Sequence, residues 1–414
     1  MINKVIKSEF AKNFMTMLTG TAIAQAIPVL TSLILVRIYT PDEIGAFSFF
    51  FTVVNILSII ANLKYDEAIV LPNNDEDGRN IFYLSVFLNI IFSTFIFLIT
   101  IFFGKTIVTY LGYKQLEKWL LFIPFSIFLT GLFQSCNYWN NRKKEFRIIA
   151  VSRVTQNLLM SIIQILSSSL SIGGLITGRI LGLFASIFQS FALSPTMRIV
   201  NINNLSIYTN FYKYINFAKY YTPNAFLNQF SNNLPIILFP SWFGMAYAGY
   251  YAFSTRIILA PMGIITSSIQ QVFYQEIAHK KNNGENLYPY ILRTYKRLFF
   301  LGIIPHTLLF IFAPLIFGLL FGKEWRLAGE YTRYLVPWFF MVFLNSPVSG
   351  IYLVVGKQKQ YLIIELLLFT FRLLAVFIGY IVFNNPSKAI MLYGFVGLMF
   401  NIYLCWYYLK ISNS

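Results

Sequence analysis

Charged residues are scarce in this sequence. Only 11% of its 414 residues are Asp, Glu, Lys or Arg, whereas 57% are hydrophobic and the mean hydropathy is +0.64. A soluble domain carries about 25% charged residues, so this chain has too little polar side chain to cover an apolar interior in water. The composition excludes a cytosolic enzyme or a soluble binding module and indicates that the lipid bilayer is its solvent.

Cysteine and histidine are almost missing. The two cysteines, Cys136 and Cys405, lie far apart inside apolar runs, and the two histidines are His279 and His306. This supply excludes a disulfide framework, a histidine-based metal site and a serine–histidine relay. We therefore predict inert buried thiols, no metal, no cofactor and no enzymatic activity, with proton or sodium coupling left open.

Basic residues give the chain a net charge of +17, and 19% of its residues are aromatic. Such a combination is also found in nucleic-acid-binding proteins. Here the aromatic residues lie in long apolar runs and most cations lie in the gaps between them. We therefore predict no nucleic-acid partner.

Apolar runs long enough to cross a membrane recur along the chain. A helix needs about 20 residues to cross about 30 Å of hydrocarbon. Runs of this kind predict an all-α integral membrane protein, with a tight turn at Gly173-Gly174 between the fifth and sixth helices. The twelve predicted spans are 13–36, 44–62, 81–103, 119–138, 148–172, 174–193, 215–240, 246–273, 298–321, 334–355, 361–383 and 389–409.

The distribution of lysine and arginine predicts the orientation. Most of the cations outside the spans fall in the loops on the same side as the N-terminus, with dense groups at 142–147 and 280–297. The positive-inside rule therefore places both termini in the cytoplasm. The loop 63–80 carries more acids than cations, but acids weigh little in this rule.

The two halves of the sequence repeat. Aligning the turn after the first helix with the turn after the seventh places Gln25 on Gln229, and the third and ninth helices end alike in Phe103-Gly104-Lys105 and Phe321-Gly322-Lys323. We predict two pseudo-symmetric six-helix bundles around a central cavity, with a substrate site at the repeat interface. The predicted division is a bundle at 1–193, a cytoplasmic linker at 194–214 and a second bundle at 215–414.

Positive charge dominates inside the spans. Arg256 and Arg372 lie near mid-depth, where an arginine costs about 2.5–3.5 kcal/mol, so we expect them to face an aqueous cavity and bind substrate; the alternative is that they hydrogen-bond to backbone carbonyls. Arg153, Arg179 and Lys219 lie nearer the span ends, where snorkelling to the headgroups and substrate binding are equally good interpretations. A guanidinium presents a planar set of donors that fits phosphate oxygens, so the lining predicts an anionic, phosphate-bearing substrate.

Side-chain amides concentrate in the first and seventh spans. Pro223 and Pro235 flank the stretch in the seventh span, and prolines there permit a helix to bend. Amides in lipid must line a lumen, where they would bind sugar hydroxyls, or join helices to one another. The candidate substrate-binding amides are Gln25, Asn228, Gln229, Asn232 and Asn233.

Two acids are candidates for ion coupling. Glu365 lies near the cytoplasmic end of the eleventh span, and Asp66 lies in the loop 63–80. Ordinary solvation is the alternative interpretation for both, and we expect it here.

Other motifs are few. Asp75-Glu76-Asp77 has the spacing of a metal-binding D-x-D, but its surroundings predict a solvated polar turn. Gly178 and Gly182 form a GxxxG that predicts helix packing. No P-loop is present, so ATP hydrolysis is not expected.

Three turns carry a family resemblance. The segments 37–48 (RIYTPDEIGAFS), 64–72 (KYDEAIVLP) and 139–146 (WNNRKKEF) resemble polysaccharide-type flippases of the multidrug/oligosaccharidyl-lipid/polysaccharide exporter superfamily. The resemblance implies translocation of an undecaprenyl-pyrophosphate-linked oligosaccharide, such as an O-antigen or capsule repeat unit, from the cytoplasmic to the periplasmic leaflet by alternating access. It also implies a polysaccharide polymerase and chain-length machinery as partners.

Two other functions are left open by the sequence. One is a multidrug antiporter of the same superfamily, although a cationic drug would favour buried acids rather than arginines. The other is a membrane-embedded glycosyltransferase or polymerase, against which the short outer loops argue.

Overall fold

The computed structural model describes residues 2–111, 114–198 and 204–412, and these ranges are almost entirely helical, with no β-strand. Short 3₁₀ segments cover Lys114–Trp119, Ser168–Leu170, Pro195–Arg198 and Lys323–Trp325, and a π-helical turn covers Phe217–Tyr221. The α-helices are α1 (Ile2–Ile38), α2 (Pro41–Ala61), α3 (Tyr65–Ala68), α4 (Asp75–Leu111), α5 (Phe122–Arg142), α6 (Phe146–Leu166), α7 (Ile172–Leu193), α8 (Asn204–Lys213), α9 (Thr222–Asn232), α10 (Leu234–Trp242), α11 (Met245–Asn282), α12 (Tyr288–Leu320), α13 (Arg326–Val348), α14 (Ile351–Val354), α15 (Gln358–Ile381) and α16 (Pro386–Ile411).

Each predicted span coincides with a long helix or, for the seventh span, with the pair α9 and α10. Within the described residues, eight helices are long and apolar enough to cross a membrane, namely α1, α2, α4, α6, α7, α12, α15 and α16. The remaining spans correspond to α5, α11 and α13 and to α9 with α10, each of which is too short to cross a membrane alone. The predicted all-helical membrane architecture is confirmed.

Several helices extend beyond the predicted spans. Helix α4 begins at Asp75 rather than 81, α12 begins at Tyr288 rather than 298, and α11 continues to Asn282 rather than 273. Hydropathy marks the part of a helix that lies in hydrocarbon, whereas the backbone hydrogen bonds continue wherever the sequence tolerates them. The predicted limits are therefore those of the apolar zone and not of the helices.

The first outer turn is fixed by a capping box. The Thr40 hydroxyl accepts from the Glu43 amide at 3.3 Å, and the Glu43 carboxylate accepts from the Thr40 amide at 2.8 Å, so two free donors at the start of α2 are satisfied. Pro41 occupies the first turn, where its missing N–H costs nothing. Glu43 also accepts a hydrogen bond from the Ser171 hydroxyl, which joins this turn to the start of α7.

The prediction of a turn at Gly173-Gly174 is wrong. Both glycines are buried within the first turns of α7, and the chain instead turns at 167–171, where Ser171 has a φ of 56°. A Cβ on Gly173 would lie 2.2 Å from the Trp119 ring, and a Cβ on Gly174 would lie 2.2 Å from the Ser167 carbonyl oxygen. These glycines are therefore required by close packing and not by backbone conformation.

The GxxxG of α7 packs against α6, as predicted. A Cβ on Gly178 would lie 2.6 Å from the Gln164 side chain and 2.8 Å from the Met160 carbonyl oxygen. A Cβ on Gly182 would lie 2.6 Å from the Gln156 carbonyl oxygen. Only glycine permits the two helix backbones to approach this closely.

The chain divides into two compact units, Met1–Phe230 and Ser231–Ser414. The division falls inside the seventh predicted span, close to the break between α9 and α10, whereas the sequence analysis places the linker at 194–214. Pro235 lies in the first turn of α10, where proline is compatible with a helix start but not with continuation of α9. The predicted break in this helix is confirmed.

Three segments that are predicted to be cytoplasmic meet at one end of the first unit. Arg142, at the end of α5, forms an ion pair with Asp75 at 3.2 Å and donates to the carbonyls of Ile69 and Pro72 at 3.1 and 2.7 Å. From the 194–214 segment, Thr196 accepts a hydrogen bond from the Trp139 indole at 3.1 Å. Asp75 of loop 63–80 thus has two cationic partners, Arg142 and Lys143, in the neighbouring loop.

Candidate functional site

Arg372 is the most completely enclosed cation of the described chain. It lies on α15 and is 2% exposed. Its Nη1 donates to Ser231 Oγ at 3.1 Å and to Asn232 Oδ1 at 2.8 Å, both at the end of the broken helix α9. The guanidinium carbon lies 4.3 Å from the centroid of the Trp338 ring and 5.1 Å from that of Tyr393. All of these residues belong to the second unit.

Two tyrosines hold the last turn of α9 in place beside Arg372. The Tyr393 hydroxyl donates to the Ser231 carbonyl at 2.8 Å, and the Tyr251 hydroxyl donates to the Asn232 carbonyl at 2.9 Å. Carbonyls at a helix end have no partner within the helix, so these hydroxyls satisfy acceptors that would otherwise be unpaired. The break in the helix therefore creates acceptors for the two tyrosines, and the tyrosines hold Ser231 and Asn232 where their side chains accept from the arginine.

The prediction that Arg372 faces an aqueous cavity is wrong for this conformation. A hydroxyl, an amide oxygen and two aromatic faces take the places that water and a carboxylate would fill, and each offers partial negative charge. The compensation is incomplete, because Nε of Arg372 is buried and has no hydrogen-bond partner. An unused donor on a buried guanidinium is costly, and it is a point at which an anion would gain a hydrogen bond.

Arg256 differs from Arg372 in its surroundings. It lies on α11 of the second unit, about three turns after the start of that helix, and is half-buried rather than enclosed. The two mid-depth arginines, which were expected to have similar environments, therefore differ: the guanidinium of Arg372 is enclosed and that of Arg256 is more accessible.

The cations of the first unit lie on separate elements. Arg179, on α7, is half-buried, and its guanidinium carbon lies 4.8 Å from the centroid of the Phe51 ring. Arg153, on α6, has Nη1 3.5 Å from the Thr21 hydroxyl of α1. Lys219 is exposed on the π-helical turn before α9.

The candidate amides differ in exposure. Asn228 is exposed, whereas Gln25, Gln229 and Asn233 are half-buried. Asn232 is the amide that accepts the arginine hydrogen bond. The amide stretch therefore contributes at least one side chain to a cationic site.

Sequence reasoning missed the aromatic part of this site. Trp338, Tyr251 and Tyr393 lie in apolar runs, where hydropathy does not separate a ring that faces lipid from one that covers a guanidinium. Ser231 was visible as part of the polar stretch between the two prolines.

Asp66 is buried and not solvated. Its exposure is 1%, its Oδ1 has no hydrogen-bond partner, and burial raises its pKa from 3.8 to about 6. Lys64 opposes this rise, whereas the charge of Glu67 adds to it. The expectation of ordinary solvation is therefore wrong for Asp66, which titrates near neutral pH.

Glu365 is also buried, at 5% exposure. Its carboxyl group interacts with the Tyr361 hydroxyl one helical turn earlier and lies near Tyr408 of α16. The expectation of solvation is wrong here as well, because two phenol groups replace water around the carboxyl group.

The acids of the D-x-D motif have structural partners. Asp75 pairs with Arg142 and Lys143, and Asp77 accepts from Ser206 Oγ and Asn210 Nδ2, both at 3.0 Å. Within residues 2–111, 114–198 and 204–412, no group of three or more His, Cys, Asp or Glu side chains is placed to hold a metal ion. These acids join α4 to its neighbours.

Comparison with known proteins identifies the family. A family model described as polysaccharide biosynthesis protein matches residues 34–329. The chain belongs to this family. It is also 25% identical over 388 residues to the capsular polysaccharide biosynthesis protein CapF of Staphylococcus aureus, an alignment that covers 88% of this chain and 92% of that protein.

Solved structures share the fold. The inward-facing structure of a multidrug resistance MATE family transporter of the MOP superfamily matches with a TM-score of 0.75 at 14% identity, covering 96% of this chain and 98% of that chain. The inward closed structure of the lipid II flippase MurJ matches with a TM-score of 0.72 at 15% identity, covering 100% of this chain and 90% of that chain. The fold is the twelve-helix, two-lobe fold of these membrane transporters, and the chain is a multi-pass membrane protein.

Proposed function

We propose that this protein is a flippase that moves an undecaprenyl-pyrophosphate-linked oligosaccharide from the cytoplasmic to the periplasmic leaflet of the bacterial inner membrane. Its family supports a role in polysaccharide biosynthesis, and the similarity of fold to a lipid II flippase supports a lipid-linked cargo. In this proposal both termini are cytoplasmic, the two lobes alternate in access, and the protein delivers its cargo to a polymerase on the outer face.

The observation that carries the proposal is the buried guanidinium of Arg372, whose partners are all neutral. A phosphate group would supply the negative charge that Ser231, Asn232 and the two rings do not. Charge-assisted hydrogen bonds between a guanidinium and a phosphate are about twice as strong as neutral ones. An arginine kept in this state at depth favours an anionic substrate over the cationic drugs of an antiporter.

The other candidate residues are assigned by exposure. Arg256 is the more accessible guanidinium of the second lobe and would make the first contact with the pyrophosphate. Arg179 and Arg153 of the first lobe, and Lys219 at an exposed position, are further candidates for binding an anionic group. The amides of Gln25, Asn228, Gln229, Asn232 and Asn233 would bind sugar hydroxyls.

Ion coupling is assigned to the two buried carboxyl groups. Asp66 takes up or releases a proton near pH 6, which suits exchange with the cytoplasm. Glu365, enclosed by two phenols, is the corresponding candidate in the second lobe. Transport would then use an ion gradient and not ATP.

The test is a flipping assay in liposomes with a fluorescent undecaprenyl-pyrophosphate oligosaccharide and a quencher that does not cross the membrane. Arg372→Ala and Arg256→Ala are compared with Arg326→Ala, since Arg326 is exposed at the start of α13 and serves as a matched control. Loss of one charged hydrogen bond, worth about 1.5–3 kcal/mol, predicts a reduction of about 10- to 100-fold for each site variant. The control should flip at the wild-type rate.

Wild-type rates in the double variant Arg256→Ala/Arg372→Ala would overturn the proposal. Transport of a cationic dye by the same vesicles, with no movement of the lipid-linked sugar, would favour the antiporter. Transfer of sugar to an acceptor by purified protein would favour the glycosyltransferase.

A further inference from the structure

An apolar groove runs between α4 and α8 at the end of the first unit that holds the loops 63–80 and 139–147. Its volume is about 590 Å³. We call it the α4–α8 groove, and its lining residues are Tyr83, Leu84, Val86, Phe87, Ile90, Ile207, Tyr208 and Phe211. No charged side chain lines it, so it suits a hydrocarbon chain.

Helix α8 is held over the groove by its polar face. Ser206 and Asn210 donate to Asp77, and Asn80 Nδ2 donates to Ser206 Oγ at 3.0 Å. Because these polar residues bond to the start of α4, the apolar residues of α8 face the groove. The groove is therefore a built feature with a fixed wall.

Both walls of the groove carry exposed apolar side chains. Phe87 is 57% exposed on α4, and Tyr208 is 62% exposed on α8. An exposed phenylalanine on a membrane-spanning helix such as α4 is solvated by acyl chains. A lipid tail therefore enters the groove from the bilayer without crossing water.

Arg79 precedes the groove-lining residues on α4. It shares the groove face of α4, one turn before Tyr83, and side chains on a helix lean toward its N-terminus, so the guanidinium lies toward the headgroup level. Its Nε is buried without a hydrogen-bond partner, and its guanidinium carbon lies 5.9 Å from the centroid of the Trp139 ring. A guanidinium with an unused donor and an apolar groove that can hold an acyl chain thus lie on the same face of α4.

The neighbouring charges favour a headgroup with few negative charges, because Lys213 of α8 already acts on Asp77. Arg142 and Lys143 are already paired with Asp75, and Asp77 is occupied by α8. One available guanidinium matches the one negative charge of a phosphodiester. A pyrophosphate carries more charge and would require further cations.

We propose that the α4–α8 groove binds one anionic phospholipid, with its phosphate on Arg79 and an acyl chain along the groove. The bound lipid fixes α8 of the first unit against α4. This site is separate from the proposed transport site and does not depend on the transported substrate.

The experiment is native mass spectrometry of the purified, delipidated full chain titrated with phosphatidylglycerol or with phosphatidylcholine. We expect one phosphatidylglycerol per chain, bound at least about tenfold more tightly than phosphatidylcholine, because both lipids offer a phosphodiester but the choline cation of phosphatidylcholine cancels the net negative charge that Arg79 attracts. Arg79→Gln should remove this preference, and Arg79→Lys should retain part of it, because lysine keeps the charge but not the guanidinium donors. Arg326→Gln is the control and should bind as the wild type does.

Three results would overturn the proposal. The first is an unchanged preference for phosphatidylglycerol in Arg79→Gln, and the second is equal binding of the two phospholipids by the wild type. The third is complete displacement of phosphatidylglycerol by equimolar undecaprenyl phosphate, which would assign the groove to a polyprenyl lipid. Val86→Trp, which fills the groove without changing charge, should also abolish tight binding, and undiminished binding there would contradict the placement of the acyl chain.

Discussion

Asp66 makes the stability of the first unit depend on pH in a direction opposite to that of most carboxyl groups. Its pKa is raised from 3.8 to about 6 by burial. An acid whose pKa is raised by folding binds its proton more tightly in the folded state than in the unfolded state. The contribution of Asp66 to stability is therefore fully present below about pH 4 and is lost as the pH rises through about 6. At about 1.4 kcal/mol for each pH unit, the whole loss is about 3 kcal/mol.

Asp66→Asn removes this dependence. The amide is neutral at every pH, so the variant should match the wild type near pH 4 and exceed it by about 3 kcal/mol at pH 7. Thermal unfolding in detergent, followed from pH 4 to pH 8, measures the difference, which corresponds to a shift of the midpoint by roughly 6–12 °C for a unit of this size. Asp42→Asn, at an exposed position, is the control and should leave the pH profile unchanged.

A constant offset between the Asp66→Asn and wild-type curves over this range would refute the reasoning, since a packing effect does not vary with pH. A wild-type advantage that grows with pH would also refute it, because it would mean that the native structure stabilises the carboxylate.

Two further perturbations test the packing and the loop contacts. Gly178→Leu forces a side chain against α6, where a Cβ alone would lie 2.6 Å from the nearest atom. Thermal unfolding should show that this variant is less stable than the wild type by about 1–3 kcal/mol. Gly318→Ala is the control and should be neutral or stabilising, because no atom lies within 4 Å of the added Cβ. A stable Gly178→Leu would contradict the close helix approach. Arg142→Ala leaves the carbonyls of loop 63–80 without their donor and should speed amide hydrogen exchange in residues 69–75 at least about tenfold, whereas Lys144→Ala at an exposed position should not.

Hydropathy and small-residue spacing were sufficient to predict the helices and one of their contacts. The spans follow from the length of apolar sequence that hydrocarbon requires, and the contact at Gly178 and Gly182 follows from the need for small residues where backbones meet. The same residue type misled at Gly173-Gly174, because glycine serves tight turns and tight packing equally well. The contact of Gly173 with the Trp119 ring, which the sequence does not reveal, shows that this glycine serves packing and not a turn.

The sequence could not predict the environment of the charged residues. A carboxyl group beside Lys64 and Glu67 in a polar loop has every local sign of solvation, yet Asp66 is buried by elements distant in sequence. Arg372 was recognised as unusual from its depth, but its partners come from three other helices and two of them are aromatic. Burial and partner choice are tertiary properties, whereas composition reports only the kind of solvent around the whole chain.

The hydrogen bonds from Arg372 to the end of α9 have a consequence for any anion that reaches them. The same nitrogen serves Ser231 and Asn232, so an anion that takes this donor displaces both side chains and leaves the last turn of α9 held only by the Tyr251 and Tyr393 hydroxyls among these contacts. Occupancy of the arginine and the attachment of that helix are then linked equilibria, and each changes the other by the same factor. Ligand binding and helix release would form a single exchange of partners at one guanidinium.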